Sequence, residues 1–333
     1  MSNEPNGHVT TMKAIVQDTY GSADVLELRE IDTPVPKDDE VLVGVHAAGV
    51  DPGVWHLMTG LPYLVRLGFG LRKPKARVRG MDVAGRVEAV GKDVTEYQPG
   101  DEVFGICDGS FAEYACARQD KLAAKPASLT FEQAAAVPIS ACTALQALRD
   151  KGQVQPGQKV LIIGAAGGVG TFAVQLAKAF GAEVTGVCST TKADLVRSLG
   201  ADDVVDYTRD DVADGTRHWD LILDTAGNRS VSHLRRALTP KGTLVIVGGE
   251  GGGRWFGGTD RLLRALLLSP LVRQKLRGLL SKERQEDLQT LWELIEAGKV
   301  TPVIDRTYPL REVPDAIRYL EQGHARGKVV ISV

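Results

Sequence analysis

The stretch Lys159-Val-Leu-Ile-Ile-Gly-Ala-Ala-Gly-Gly-Val-Gly-Thr-Phe-Ala-Val-Gln-Leu-Ala-Lys-Ala-Phe180 decides the fold. Its apolar run Val160–Ile163 predicts a strand buried on both faces, and Phe172–Phe180 has the spacing of a helix that Gly181 ends. A glycine-rich turn joins the two. Such a turn binds a dinucleotide pyrophosphate, because free backbone N–H groups and the helix dipole attract the anion.

The turn reads Ala165-x-Gly167-x-x-Gly170, with alanine in place of the first glycine of the usual fingerprint. We assign the turn to cofactor binding through Ala165, Ala166, Gly167, Gly168, Val169 and Gly170. Further strands are predicted at Glu183–Cys188, Asp203–Tyr207, Leu221–Asp224 and Thr243–Val247. Because helices alternate with these strands, the segment is predicted to be α/β, with a doubly wound parallel sheet.

The end of the second strand of this sheet indicates which cofactor binds. NAD sites usually carry an acidic residue there for the ribose hydroxyls, whereas this chain has Cys188-Ser-Thr-Thr-Lys192. Ser189, Thr190 and Lys192 can attract a 2′-phosphate that a carboxylate would repel. The sequence therefore favours NADP(H), unless Lys192 is an ordinary solvated lysine at a helix start.

Composition limits the other functions. A length of 333 residues fits two domains, and a net charge of −2 gives no general attraction to nucleic acid. The four cysteines form no CxxC pair, so neither a zinc knuckle nor a disulfide framework is indicated, and reduced thiols favour a cytoplasmic location. Residues 1–11 are polar and are predicted to form a flexible tail rather than a signal peptide.

The N-terminal part is rich in short strands and in Gly and Pro turns. A hairpin (Met12–Gln17 with Val25–Glu30) and the strands that follow, including one expected at Phe111–Ala115, predict a partly open β-barrel. The last strands of the chain, at 303–310 and 327–333, complete that barrel, so the nucleotide-binding segment is inserted into it. The predicted domains are 12–136 with 303–333, which binds the substrate, and 137–302, which binds the nucleotide.

Several motifs carry a resemblance to a known family. They are Ala48-Gly-Val-Asp51, Gly80-Met-Asp-Val-Ala-Gly85, Pro99-Gly-Asp101, the glycine turn, Leu199-Gly-Ala-Asp202 and Gly327-Lys-Val-Val. The chain resembles the medium-chain dehydrogenase/reductases, which include alcohol dehydrogenases and enoyl reductases, and among them the zinc-free quinone oxidoreductase (zeta-crystallin-like) branch. The resemblance covers Met12 to Val333 and implies a Rossmann sheet inserted into a GroES-like catalytic domain.

The resemblance also implies that this chain binds no catalytic metal. Asp51 stands where zinc-dependent relatives have their first cysteine ligand, Met81 replaces their histidine, and the third ligand position falls near Ile139. Zinc needs three or four N, S or O ligands held together. Without a Lewis acid, reduction of quinones or of activated C=C bonds is the favoured reaction, because the negative charge that develops is delocalised.

Three residues are candidates for catalysis. The resemblance places Asp51 beside the nicotinamide ribose and His56 and Tyr63 in the loops lining the substrate pocket. His56 has the more suitable reference pKa, about 6.5, for donating a proton. Both His56 and Tyr63 could instead be wall residues, with water supplying the proton. The cofactor site is further expected to include Thr143, which the resemblance places at the nicotinamide, and Tyr207, Val247, Gly248 and Lys328.

Two stretches fall outside this pattern. Gly60–Lys75 is apolar and then basic, and Arg261–Leu280 mixes leucines with arginines. The second stretch could lie on an anionic membrane, cover the substrate cleft or form a homodimer surface, although core packing with solvated arginines is the ordinary interpretation.

Three functions follow from the sequence. The first is an NADPH-dependent oxidoreductase acting on a small quinone or enone, including alkenals. The second is a zinc-independent alcohol or carbonyl dehydrogenase. The third is a non-enzymatic NADPH-binding protein, such as a sensor or a membrane-associated factor.

Overall fold

The computed structural model describes residues 10–248, 253–255 and 257–333. The strands are β1 (Thr11–Gln17), β2 (Leu26–Asp32), β3 (Glu40–Val50), β4 (Asp82–Val90), β5 (Glu102–Ile106), β6 (Tyr114–Arg118), β7 (Leu122–Ala124), β8 (Lys159–Ile163), β9 (Glu183–Cys188), β10 (Asp203–Asp206), β11 (Trp219–Asp224), β12 (Leu238–Ile246), β13 (Lys275–Gly278), β14 (Ile304–Pro309) and β15 (Lys328–Ser332). The α-helices are α1 (Pro52–Thr59), α2 (Val65–Phe69), α3 (Phe131–Ala135), α4 (Pro138–Gln146), α5 (Gly168–Ala179), α6 (Ala193–Ser198), α7 (Val231–Arg236), α8 (Thr259–Leu268), α9 (Gln285–Glu296) and α10 (Val313–Glu321).

The first and last parts of the chain share one sheet. Its strand order is β14-β15-β3-β4-β5-β7, and β6 also pairs with β3. The hairpin β1–β2 forms a separate two-stranded sheet beside it. Since strands β14 and β15 follow the whole nucleotide-binding segment, the insertion predicted from the sequence is the observed topology. The exact domain bounds, 12–136 with 303–333 and 137–302, remain our proposal, which the two sheets support.

The inserted part forms a six-stranded parallel sheet of order β10-β9-β8-β11-β12-β13. This order is that of a doubly wound nucleotide-binding sheet, in which the direction of winding reverses between β8 and β11. Ligands of such sheets bind at the carboxyl ends of the strands beside that reversal. The glycine turn after β8 lies at this position.

Helix α5 packs its apolar residues into the main core. Phe172, Val174 and Leu176 are fully buried there, together with strand residues such as Val160 and Ile162. Each of these side chains is expected to contribute about 1.5–3 kcal/mol through burial. The buried helix fixes the turn that precedes it.

The structure differs from the sequence prediction in three elements. The strand expected at Phe111–Ala115 is β6, three residues later, because the backbone at Phe111 bonds to Ile15 and Arg79 instead. The edge strand β13 was missed inside the Leu- and Arg-rich stretch, since four residues of mixed polarity carry no strand pattern. The predicted tail, 1–11, lies mostly outside the described residues, and Thr11 already begins β1.

Two further features concern membrane-spanning helices and cysteine pairing. Among the described residues, no helix combines the length and the apolar character needed to cross a bilayer. All four cysteines are free thiols.

Candidate functional site

The glycine turn is shaped by close backbone contacts. Gly164 has a φ of 82°, in the left-handed region. A Cβ on Gly170 would lie 2.0 Å from the Gly164 carbonyl oxygen, so only glycine permits α5 to start this close to β8. The N-cap, Gly167, has no side chain to cap the helix. The first-turn N–H groups of α5 are therefore oriented to bind an anion such as a pyrophosphate.

The turn is joined to the end of the chain. The Gly327 N–H donates to the Ala166 carbonyl at 2.9 Å, and Gly167 and Gly327 form a parallel β-bridge. Gly327 directly precedes β15 of the other sheet. The expected cofactor turn is thus held in place by both sheets.

Beneath this turn lies a buried cluster of four polar side chains. The ammonium group of Lys328 donates to Asp51 at 2.5 Å, to Asp82 at 3.1 Å and to Ser140 at 3.2 Å. Ser140 in turn donates to Asp51 at 3.0 Å. Lys328, Asp51 and Asp82 are 2%, 4% and 0% exposed, so water does not screen their charges. A Cβ on Gly168 would lie 3.2 Å from both Lys328 and Ser140, which places the cluster against the start of α5.

The cluster is expected to be neutral overall. Burial, and then the charge of Asp51, raises the pKa of Asp82 well above its ordinary value, which favours the protonated form of Asp82 beside the Asp51 carboxylate. Burial alone would also raise the pKa of Asp51, but the Lys328 ammonium lowers it. Burial disfavours the charge of Lys328, yet the two carboxyl groups raise its pKa. One cation and one anion remain.

These contacts concern two of the predicted site residues, Lys328 and Asp51. Lys328 was expected to bind the cofactor, but all three of its ammonium hydrogens are used by internal acceptors, which leaves none for a ligand. Asp51 is the N-cap of α1, but its side chain does not cap that helix because it is turned towards Lys328. Asp82 and Ser140 were not predicted, although Asp82 lies inside the Gly80-Met-Asp motif.

The expected 2′-phosphate site contains a second cation. The ammonium of Lys192 lies 3.0 Å from the Ala325 carbonyl oxygen, and burial followed by the charge of Arg326 lowers its pKa. Arg326 was not predicted, although it immediately precedes Gly327. Thr190 donates its hydroxyl to Asp206, so it is not a free donor. Ser189 follows the end of β9, and Tyr207, which is half exposed, follows β10.

The predicted substrate-side residues sit on α1 and in the loop after it. Nδ1 of His56 lies 2.7 Å from the Leu61 carbonyl oxygen. Since a carbonyl only accepts, Nδ1 carries the hydrogen, and Nε2 is left to exchange a proton with a ligand. The Tyr63 backbone N–H donates to the Arg254 carbonyl at 2.8 Å, and its ring packs edge-on against Trp255. Tyr63 therefore joins the two parts of the chain at the cleft.

The remaining predicted cofactor residues lie at strand and helix ends. The N–H groups of Val247 and Gly248 both donate to the Asp224 carbonyl, at 2.9 and 3.2 Å. Arg261, at the start of α8, forms a buried ion pair with the Asp224 carboxylate and donates to the Gly248 carbonyl. Thr143 is buried on α4. Arg261 was treated only as a surface cation in the sequence analysis, and its role in holding the Gly248 backbone was missed.

Comparisons with known proteins were made for the whole chain. Residues 37–127 match the model of the alcohol dehydrogenase GroES-like domain, and residues 199–331 match that of the zinc-binding dehydrogenases. A mitochondrial NAD(P)H oxidoreductase of Mus musculus is 33% identical, over 97% of this chain and 90% of that protein. The chain belongs to the medium-chain dehydrogenase/reductase superfamily.

Two other similar proteins are named alkenal/one oxidoreductase and quinone oxidoreductase. A chloroplastic NADPH-dependent alkenal/one oxidoreductase of Arabidopsis thaliana is 35% identical, over 96% of this chain and 79% of that protein. The structure of a quinone oxidoreductase from Coxiella burnetii superposes with a TM-score of 0.86 at 32% identity, covering 97% of this chain and 100% of that one. Because two of these relatives are named mitochondrial and chloroplastic, the cytoplasmic location expected here stays a prediction.

In this medium-chain dehydrogenase/reductase, the side chains at the three positions expected for zinc ligands are not arranged to bind zinc. Asp51 is ion-paired with Lys328, Met81 offers only a thioether, and Ile139 contributes its backbone N–H to Asp82 at 2.9 Å. Within the described part of the chain, no three His, Cys, Asp or Glu side chains are grouped so as to hold a metal ion. The positive charge beside the carboxyl groups of Asp51 and Asp82 comes from Lys328.

The proton on Asp82 predicts unequal effects of two similar substitutions. Asp51→Asn removes the carboxylate that neutralises the buried Lys328 ammonium and leaves Asp82, at 3.1 Å, to ionise in its place, so the free energy of unfolding is expected to fall by up to about 3–5 kcal/mol. Asp82→Asn replaces a neutral carboxyl group with a neutral amide of the same shape, so a loss below about 1 kcal/mol is expected. Denaturant unfolding at neutral pH measures both. Equal losses would show that Asp82 is ionised.

The same variants predict the pH dependence of stability. The pKa of Asp82 is raised in the folded state, so its contribution is complete below the ordinary value of 3.8 and falls as pH rises towards the folded pKa. Asp82→Asn removes that fall. The stability of Asp82→Asn should therefore increase relative to the wild type as the pH rises above the ordinary Asp pKa of 3.8, as measured by unfolding at each pH. A constant difference would contradict the assignment.

Proposed function

We propose that this protein is an NADPH-dependent reductase of quinones or of activated carbon–carbon double bonds in enones and alkenals, and that it acts without zinc. One observation carries the proposal. Asp51, just before α1, occupies the position that the family resemblance assigns to a zinc ligand in zinc-dependent relatives. In this protein the buried ammonium of Lys328 neutralises the Asp51 carboxylate. The names of several relatives, which include NADPH-dependent alkenal/one and quinone oxidoreductases, agree with it.

The reaction follows from what this site offers. NADPH supplies the hydride when bound. The residues of the chain must bind and orient NADPH and must allow one proton to reach the product. Reducing a simple ketone concentrates negative charge on one oxygen and calls for a strong electrophile. Hydride addition to an enone or quinone spreads that charge over a conjugated system. A hydrogen-bond donor of ordinary strength then suffices.

His56 is the proposed proton donor. Its Nδ1–H is held by the Leu61 carbonyl, so the ring is oriented and Nε2 faces away from that bond. Protonated at Nε2, the imidazolium can transfer this proton to the enolate or phenolate oxygen of the product. Tyr63 lies in the following loop with its ring against Trp255, and we assign it to the pocket wall.

Asp51 is the proposed partner of the nicotinamide ribose. Its Oδ1 accepts from Ser140 and Lys328, while Oδ2 is buried and accepts no hydrogen bond from the described residues. A ribose hydroxyl is a donor of the kind that this carboxylate can accept. Lys328 and Asp82 would then act through Asp51 as positioning residues.

The NADP preference is proposed from charge. Arg326 lies close enough to Lys192, which follows the end of β9, for its charge to lower the pKa of Lys192. Two cations at one place are favourable when a dianionic phosphate binds between them. Of the nearby carboxylates, Asp206 is already bonded to Thr190 and Thr208, and Asp305 to Tyr319 and to the backbone N–H of Arg326.

Steady-state kinetics with NADPH test the function. We expect turnover of a benzoquinone and an alkenal, no turnover of a saturated ketone, no change after dialysis against a chelator, and substoichiometric zinc by elemental analysis. Ketone reduction at a comparable rate would instead identify a carbonyl dehydrogenase. NADPH binding without turnover of any of the three would identify a non-enzymatic protein.

Lys192→Ala should separate the two cofactors. Charge-assisted hydrogen bonds to phosphate contribute about 1.5–3 kcal/mol, so KM for NADPH should rise tenfold or more while KM for NADH hardly changes. The control is Lys241→Ala, which removes an exposed lysine from β12 of the same sheet. If Lys192→Ala weakens both cofactors equally, the assignment to the 2′-phosphate is wrong.

Two substitutions test His56. Asn keeps an N–H near the position of Nδ1 but cannot titrate, whereas Ala removes both. If His56 donates the proton, His56→Asn and His56→Ala should both lower kcat by about 10²–10⁴-fold with an unchanged KM for NADPH, and the pH–rate profile should lose the limb that the proton donor produces.

The exposed residue His324 provides the matched control, since His324→Ala should change neither kcat nor the pH profile. Restoration of full activity by Asn would show that only the bond to Leu61 matters. Unchanged turnover in both His56 variants would mean that water supplies the proton.

A further inference from the structure

Large apolar side chains are exposed mainly in one region. Of the fourteen such residues among the described ones, nine lie in 64–71 or in 255–271, and they are between 45% and 80% exposed. On α8 the leucines at 263, 266 and 267 point to solvent, while Ala265 and Arg261 face the protein. A helix that turns leucines outwards marks a surface that is covered under some condition.

The two segments meet at Tyr63, the residue before the first of them. The backbone of Tyr63 bonds to Arg254 at 2.8 Å, and the rings of Tyr63 and Trp255 are 5.2 Å apart. Helix α8 begins only four residues after Trp255. We call residues 64–75 together with 254–255 and 257–273 the apolar basic face.

The charged residues of this face are almost all positive. From Pro52 to Met81 the chain has six lysines and arginines and no aspartate or glutamate, although its overall net charge is −2. The segment 253–280 has six more cations and the single acid Asp260. Several are exposed on the apolar basic face: Arg72, Lys73, Lys75, Arg254, Arg264 and Arg273.

We propose that the apolar basic face binds peripherally to the surface of an anionic lipid bilayer. Leucine, phenylalanine and tryptophan side chains can enter the headgroup region, while the surrounding cations pair with lipid phosphates. A second copy of this chain fits less well. In a two-fold interface the same cationic patch would face itself, and the region from 52 to 81 has no acids to compensate.

This surface differs from the stretch 261–280 that the sequence suggested. Arg261 is buried against Asp224, and Lys275–Gly278 is strand β13 of the parallel sheet. Only the part of that stretch up to residue 273 contributes. The other half of the face comes from the loop around α2, nearly two hundred residues earlier in the sequence.

Co-sedimentation of the full chain with vesicles tests the proposal. We expect binding to vesicles of equal parts phosphatidylcholine and phosphatidylglycerol, weakening with added salt, and little binding to phosphatidylcholine alone. Arg72→Ala with Lys73→Ala should weaken binding roughly fivefold per cation removed. Leu266→Ser with Leu267→Ser should also weaken it, whereas the control Leu28→Ser with Val35→Ser, exposed elsewhere, should not.

Other outcomes overturn the proposal. Absence of binding to the anionic vesicles does so, as does equal weakening by the control pair. If the wild type is a dimer in sedimentation and Leu266→Ser with Leu267→Ser makes it monomeric without vesicle binding, the face is an interface between copies. Vesicle binding needs no turnover, so its failure leaves the proposed reductase activity untouched.

Discussion

The buried ion pair between Lys328 and Asp51 is the interaction on which the site depends. It joins residues 277 positions apart, one at the end of β3 and one at the start of β15. A buried ammonium is tolerated only with a well-placed counter-ion, because its desolvation costs several kcal/mol. The chain must therefore return, after the inserted nucleotide-binding segment, to one register on β3. A slip by one residue would turn the ammonium to the opposite face of the sheet.

The ladders of the first sheet impose that register. Val329 pairs with Val50, so the next pair in the antiparallel ladder brings Lys328 opposite Asp51. Across the other edge of β3, Gly49 pairs with Asp82. A Cβ on Gly49 would lie 2.4 Å from the carboxyl group of Asp82, so glycine is needed to admit it. The same register places Gly327 against Ala166, and the position of the cofactor turn follows from it.

Much of this could be predicted because the signals are local. The strand, glycine turn and helix from Lys159 to Phe180 are contiguous, and their apolar periodicity indicates which faces are buried. The partners of Lys328 are different, because Asp82 and Ser140 become neighbours only through strand pairing between distant segments. Strand β13 and the inward turn of Arg261 were missed for the same reason. A four-residue edge strand has no distinctive sequence pattern. An arginine is expected at the surface unless the structure shows a buried carboxylate beside it, as Asp224 is beside Arg261.

The protonation of Asp82 has a consequence for the electrostatics of the whole site. The raised pKa of Asp82 favours a cluster of one ammonium, one carboxylate and one neutral carboxyl group, which adds no net charge under the glycine turn. The positive potential for a dinucleotide must then come from the start of α5 and from Lys192 and Arg326. These sources lie towards the pyrophosphate and adenosine end. We therefore expect the anionic half of the cofactor to be held by charge, and the nicotinamide half by hydrogen bonds and shape.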